Sequence, residues 1–268
     1  MVAISDLAQD RLESLQETYG IPATYTDYHE MLDAEELDGV VIATPDELHR
    51  EPVEAAAGAG VHILLEKPIA TTMADAEAIA RAVDEADVRC VMGFSLRFCP
   101  DYRVVKERFA GGELGQPTTA FMKRACTVGE ARRLYGRCSV NEYLAVHDID
   151  FLLWVFGTDV KNIYTVKSDF RVHETWGTAD HYWNTITWKN GATASVLATW
   201  GMPAAYPMDV DHVALIIGTS GFARIGLGLG GQQLHMGTDE TFTIPEAFGL
   251  PSFLKEAANF ADVFEGQD

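Results

Sequence analysis

Apolar and polar positions come in alternating blocks along the first hundred residues. Short apolar runs (Val2-Ala3-Ile4, Val40-Val41-Ile42-Ala43, Val61 through Leu65, and Cys90-Val91-Met92-Gly93-Phe94) read as buried strands. Between them lie segments with helical spacing. Leu12, Leu15 and Tyr19 precede a stop at Gly20, a brief acidic helix covers residues 28–36, an Ala-rich helix covers 47–57, and another runs over 74–86. Residues 21–25 add a short extended piece. The alternation predicts a parallel sheet covered by helices.

The pattern changes after Pro100. A helix over 102–109 leads to a strand near 118–123, then to an irregular Gly/Arg/Cys stretch. A strong helix over 140–156 follows, and strands are expected at 162–168, 182–189, 192–199, 212–217 and 222–225. Asn190-Gly191 between two alternating runs is a hairpin signal. An α+β domain with a mainly antiparallel open sheet is the simplest arrangement. The expected division is therefore 1–99 and 100–268, with a last helix near 251–264. Gly226 to Gly231 is glycine-rich but opens no helix, so it is discounted as a phosphate loop.

Composition narrows the partners. Forty acidic residues against twenty basic ones leave a formal net charge of −20. Such a surface repels nucleic acid and anionic membranes. The acidity is spread along the chain, which suits the solvated surface of a protein from a high-salt (halophilic) cytoplasm. The spacing of Cys90, Cys99, Cys126 and Cys138 matches neither a zinc site nor a CxxC pair, so free thiols in a reducing compartment are expected and no metal is assigned. No apolar run approaches membrane-spanning length. Tyr182, Trp183, Trp188 and Trp200 fall in or near the alternating strands, and exposed aromatics there predict a homodimer or homotetramer built through the sheet.

Two positions attract chemistry. Lys67 follows the buried run 61–65 within Glu66-Lys67-Pro68, and ligands of open α/β sheets sit at the carboxyl ends of strands. An ammonium there would stabilise a developing alkoxide; a surface lysine at a strand end is the plain alternative. On the helix over 140–156, Tyr143, His147, Asp150 and Trp154 share one face, beside an apolar stripe of Val146, Ile149, Leu153 and Phe156. His147 can shuttle a proton near neutral pH, or can be a satisfied interface histidine. Ser139 with Glu142 reads as a capping box for the same helix.

Together these residues resemble the Gfo/Idh/MocA-type family of nicotinamide-dependent sugar and polyol oxidoreductases, which includes glucose–fructose oxidoreductase and inositol dehydrogenase. The resemblance runs in order through Ser5-Asp6, Thr44-Pro45 with His49, and Glu66-Lys67-Pro68. It continues through Gly93-Phe94 with Arg97-Phe98 and Pro100, then His147 with Asp150, the Thr187–Ala192 hairpin, and Gly218-Thr219-Ser220-Gly221. It implies a Rossmann-like first domain whose opening strand and Gly-rich turn have no counterpart here, so that the chain is truncated at its N-terminus and shortened at its C-terminus.

The resemblance implies hydride transfer between NAD, with NADP as the other possibility, and a sugar or polyol. Lys67, His147 and Tyr143 would be catalytic. Asp6 would bind the adenosine ribose, unless it is a helix cap paired with Gln9. Thr44, Pro45 and His49 would line the nicotinamide side, and Glu66 and Pro68, the latter after a cis bond, would shape the cofactor turn. Arg97 would stand at the domain junction or make a structural ion pair. Lys123 and Arg124 are candidates to reach substrate, with Lys67, Tyr143, His147 and Asp150. Tyr143 stands where the inositol-dehydrogenase-like pattern has an aspartate. A catalytically silent relative, or a fragment that binds dinucleotide or sugar, is the competing reading.

Overall fold

The fold was analysed in a computed structural model that describes residues 1–134, 136–204, 210–226, 232–236, 241–244 and 260–261. The chain divides into two compact units, Met1–Gly93 with Ala257–Asp268, and Phe94–Glu256.

The first unit alternates strands and helices: β1 (Ala3–Ser5), α1 (Gln9–Tyr19), β2 (Ala23–Tyr25), α2 (Tyr28–Ala34), β3 (Gly39–Ile42), α3 (Arg50–Gly58), β4 (His62–Leu65), α4 (Met73–Ala86) and β5 (Cys90–Met92). Gly20 closes α1 in the left-handed region at φ 65°, where its missing side chain removes the steric cost. Thr72 caps α4 by accepting from Asp75 N–H. The helix expected over 47–57 starts as a 3-10 turn at Asp46–Leu48 and restarts at Arg50.

All pairings in this unit are parallel. They form two sheets, β1-β2 and β3-β4-β5, where the alternation alone suggested one. The core lies between the second sheet and α3 and α4: Ile42, Ile63, Leu65, Val53, Ala56, Ala57 and Ile79. Each large aliphatic side chain buried this way contributes about 1.5–3 kcal/mol. Gly39 faces the ring of Phe260, and a Cβ there would come within 2.9 Å of it. Phe260 and Ala261 are the described part of the helix expected over 251–264, and both are helical. Most of the glycine-rich run after Gly226 lies outside the described residues.

The second unit carries α5 (Pro100–Ala110), β6 (Pro117–Thr127), α6 (Val128–Leu134), a π-helical turn (Asn141–Ala145), α7 (Val146–Phe156), β7 (Val160–Ser168), α8 (Arg171–Trp176), β8 (His181–Trp188), β9 (Thr193–Met202), β10 (Val210–Gly218), β11 (Gly221–Gly226), β12 (Gln232–Met236) and β13 (Thr241–Ile244). The eight strands form one sheet in the order β13-β12-β11-β10-β6-β9-β8-β7. Its pairings are antiparallel except β6 with β9.

The period of two along the strands decides which side chains are covered. Met122 and Arg124 on β6, Ile186 and Trp188 on β8, and Val196, Ala198 and Trp200 on β9 are buried beneath the helices. Phe121, Lys123, Trp183 and Leu197 lie on the opposite, open face. The aromatic expectation is therefore corrected. Trp188 and Trp200 are fully buried, each donating its indole N–H to a backbone carbonyl, of Gly157 and Ala179. Trp183 is the exposed tryptophan of the four named aromatics, and Tyr164 and Val166 accompany it on the edge strand β7. Four apolar-sided residues in alternating strands give no local signal of face until register is known.

Candidate active site

In-register parallel pairing sets the carboxyl ends of β3, β4 and β5 level, with Ile42 opposite Leu65 and Leu65 opposite Met92. The turns that follow, Thr44-Pro45 and Glu66-Lys67-Pro68, are therefore neighbours, at the end of a parallel sheet where ligands bind in open α/β folds. Two backbone bonds fasten the strand ends: Glu66 N–H donates to Ile42 and Gly93 N–H to Leu65. The Lys67–Pro68 bond is cis, as the resemblance implied. Lys67 is half-buried and Glu66 exposed, its carboxylate accepting from the Lys67 N–H at 3.1 Å.

His49 joins the two turns. Its Nδ1 lies 2.8 Å from the Pro68 carbonyl and its Nε2 3.1 Å from the Thr44 carbonyl. At 1% exposure it has no surface to offer a ligand. The expectation that His49 lines the nicotinamide side is corrected: it holds both turns from beneath, and Thr44 and Pro45 remain as the groups of this turn nearer solvent.

Asp6 follows β1. One carboxylate oxygen accepts from Ala8 N–H at 2.8 Å and the other meets Arg11 at 2.7 Å. Ala8, not Asp6, occupies the N-cap of α1, so the expected box with Gln9 does not form. The half-exposed carboxylate retains lone pairs for hydroxyl donors, and this fits the adenosine ribose of a dinucleotide. Thr44, Glu66 and Lys67 are the polar groups of this unit that would face the nicotinamide end.

In the second unit the chemistry centres on α7. The predicted capping box is present: Ser139 Oγ accepts from Glu142 N–H, and Glu142 accepts from Ser139 N–H at 2.7 Å. The helix it opens is not continuous. Residues 141–145 form a π turn, with i→i+5 spacing, before α7 begins at Val146. That extra residue breaks the uniform face on which Tyr143, His147 and Asp150 were expected. The Tyr143 hydroxyl turns to α6, accepting from Arg133 at 2.6 Å and donating to Glu130 at 3.1 Å. Burial, with the Glu130 charge beside it, raises the Tyr143 phenol above its ordinary range.

Two arginine–carboxylate pairs form just after His147 on α7. Arg124 on β6 donates to both oxygens of Asp148 at 2.7–3.2 Å, and to the Tyr102 hydroxyl at 3.3 Å. Burial opposes the Arg124 charge, but Asp148 and Tyr102 hold its ionisation above the ordinary value. Burial also pushes Tyr102 up to about 12. Arg97 grips Asp150 through two nitrogens at 2.9 and 2.7 Å, and its guanidinium lies 5.5 Å from the Trp154 ring centre.

Several substrate candidates change role. Arg124 is buried and engaged with Asp148, so it does not reach substrate. Lys123, one residue earlier, points to the open sheet face, away from α7, and pairs with Asp211 at 2.6 Å. Asp150, 6% exposed, gives both oxygens to Arg97, and Arg97 thereby takes the ion-pair alternative. Glu130, Arg133 and Asp148 escaped the sequence reading. The Glu-x-x-Arg spacing lay in a stretch read as irregular, and the carboxylate of Asp148 interrupting an apolar helix was the signal for a buried partner. Among the described residues no cluster of His, Cys, Asp and Glu could hold a metal ion, and no helix is long and apolar enough to cross a membrane.

Residues 1–94 match the family model described as "Oxidoreductase family, NAD-binding Rossmann fold", and residues 102–224 match "GFO/IDH/MocA C-terminal domain". The chain is 29% identical over 166 residues to myo-inositol 2-dehydrogenase of Thermotoga maritima, covering 61% of this chain and 49% of that protein. It is 28% identical over 233 residues to scyllo-inositol 2-dehydrogenase (NAD(+)) of Bacillus subtilis, covering 84% and 66%. The chain thus spans about half to two-thirds of the length of these relatives. Its fold resembles that of levoglucosan dehydrogenase solved with NADH and L-sorbose, with a TM-score of 0.86 at 22% identity, over 99% of this chain and 80% of that one.

Proposed function

We propose, from the premise that this chain belongs to the GFO/IDH/MocA oxidoreductase family, that it moves a hydride between NAD and a carbon of a sugar, polyol or related hydroxy compound. The observation that carries the reading is the turn Glu66-Lys67-Pro68 at the carboxyl end of β4, level with Thr44-Pro45 and braced by His49. When bound, nicotinamide supplies the hydride acceptor or donor at its C4. The Lys67 ammonium stabilises the alkoxide that develops as the hydroxyl loses its proton, and departure of hydride from the carbon turns it into the carbonyl. His147 takes the hydroxyl proton. Asp6 receives the ribose hydroxyls, which favours NAD over NADP; its pairing with Arg11 lessens the repulsion a 2′-phosphate would meet.

The relatives' names support a polyhydroxy substrate: inositols in two cases, with L-sorbose bound in a solved relative. The same reading supports a salt-rich, reducing cytoplasm, given the charge of −20 and four cysteines that form no disulfide among the described residues. It assembles as a homodimer or homotetramer through the open sheet face that carries Trp183, Tyr164 and Val166.

Tyr143 at the position of the family's aspartate favours a second reading, a silent relative that binds its ligands without turnover. One assay separates the two. Incubation with NAD and a polyol panel, followed at the absorbance band of reduced nicotinamide, yields that band if the oxidoreductase reading holds. Ligand-dependent melting shifts with no reduced nicotinamide from any polyol establish the silent reading instead.

A further inference from the structure

The Glu130–Arg133–Tyr143 cluster has no role in the proton chemistry above. All three groups converge on one carboxylate oxygen and one hydroxyl. Glu130 Oε2 accepts from Arg133 Nε at 3.1 Å, from Arg133 Nη2 at 2.9 Å and from the Tyr143 hydroxyl at 3.1 Å. Arg133 Nη2 also donates to that hydroxyl at 2.6 Å, and its guanidinium carbon lies 5.8 Å from the Tyr143 ring centre. The network is fixed from two elements, α6 and the π turn, yet it remains open to solvent, with Arg133 57% and Glu130 31% exposed.

The pairing leaves the second oxygen of Glu130 and the Nη1 edge of Arg133 without a hydrogen bond among the described residues. The pair therefore keeps one acceptor and one donor available to a ligand. A hydroxyl both donates and accepts, so two adjacent hydroxyls satisfy such a pair, the first donating to the carboxylate and the second accepting from the guanidinium. The opposed charges cancel locally, so the pair does not select an anion. Tyr143 lies four residues before His147, on the π turn from which α7 continues. The π turn supports the assignment, since such turns are frequent at functional sites.

We propose that Glu130 and Arg133 are specificity residues, taking a vicinal diol of a neutral sugar or polyol with Tyr143 as their brace. The proposal rests on the oxidoreductase reading for the identity of the ligand, and it is tested by binding, not turnover. Calorimetric titration of the protein, with NADH present, uses myo-inositol as the neutral probe and D-glucuronate as its carboxylate counterpart. Melting curves of Arg133→Ala and Glu130→Gln establish that each variant is folded.

The expected results are a tenfold or greater loss of myo-inositol affinity in Arg133→Ala, and in Glu130→Gln a tenfold or greater shift of preference toward glucuronate. A merely structural role would not produce that shift. Unchanged affinities in both variants, or wild-type protein that binds neither myo-inositol nor any other neutral polyol, overturn the proposal. Binding that responds to the variants while wild type forms no reduced nicotinamide removes the hydride-transfer reading and leaves the diol subsite standing.

Discussion

Arg124 and Asp148 form a buried ion pair joined by three hydrogen bonds, and Asp148 directly follows His147 in the chain. The pair ties α7 to the central strand β6, so the position of the proposed proton acceptor is set by an interaction in the core of its own unit. Breaking a buried pair by removing one partner leaves an uncompensated charge, which costs roughly 3–5 kcal/mol. Arg124→Met is expected to lose that much in urea unfolding. The double variant Arg124→Met/Asp148→Leu should recover most of it. Additive losses in the double-mutant cycle would count against the coupling.

His212 on β10 stands opposite Arg124 in the register. Burial first, and the Arg124 charge second, push its imidazole down to about 4 from an ordinary 6.5, although Asp211 acts in the opposite sense. Between those values the unfolded chain holds a proton that the folded chain refuses, so stability rises with pH across this window. The contribution is complete above about pH 6.5 and is lost as pH falls toward 4, to the extent of roughly 3 kcal/mol. The urea midpoint of the wild type, followed from pH 7 to 4.5, should therefore fall more steeply than that of His212→Gln. Parallel curves would assign the acid sensitivity to other groups.

Much of this architecture is legible in the sequence because its signals are local. The parallel strands before Thr44 and Glu66, the Gly20 stop, the capping box of Ser139 and Glu142, and the Asn190-Gly191 hairpin all depend on neighbours within a few residues. What escaped depends on distant partners. α6 has seven residues with a glycine inside and carries no propensity signal of its own. Lys123 and Arg124 are chemically alike and adjacent, and the pleat of β6 sends one to the open face and the other into the core. The π turn alters the phase of a helix whose periodicity looks unbroken.

The open sheet face makes a separate prediction. Trp183 is 41% exposed and lies 6.1 Å from the Phe121 ring on the same face, with Tyr164 and Val166 beside it. If copies of the chain meet there, Trp183→Glu buries a charge at the interface and should yield monomers in light scattering at molar salt, with the melting curve of each subunit little changed. An identical mass for wild type and variant would move the interface elsewhere.

Gly39 and Phe260 allow a test of how the end of the chain supports the first unit. Gly39→Ala forces the Phe260 ring to shift, an overpacking that costs about 1–3 kcal/mol. Phe260→Ala in the same background should relieve the clash, so the double variant is expected to lose less than the sum of the two single ones. A strictly additive result would mean that the two residues do not meet.

The central claim is that the Lys67 ammonium acts on the reacting oxygen. Single-turnover formation of reduced nicotinamide, measured for wild type and Lys67→Ala with saturating NAD and the best substrate of the polyol panel, tests it most directly. The account predicts a rate at least a hundredfold lower in the variant, in line with the ~10²–10³-fold cost of removing one donor to a developing oxyanion, while the dissociation constant for NADH stays within about threefold, a change of ~0.7 kcal/mol. Equal single-turnover rates in the two proteins would contradict it.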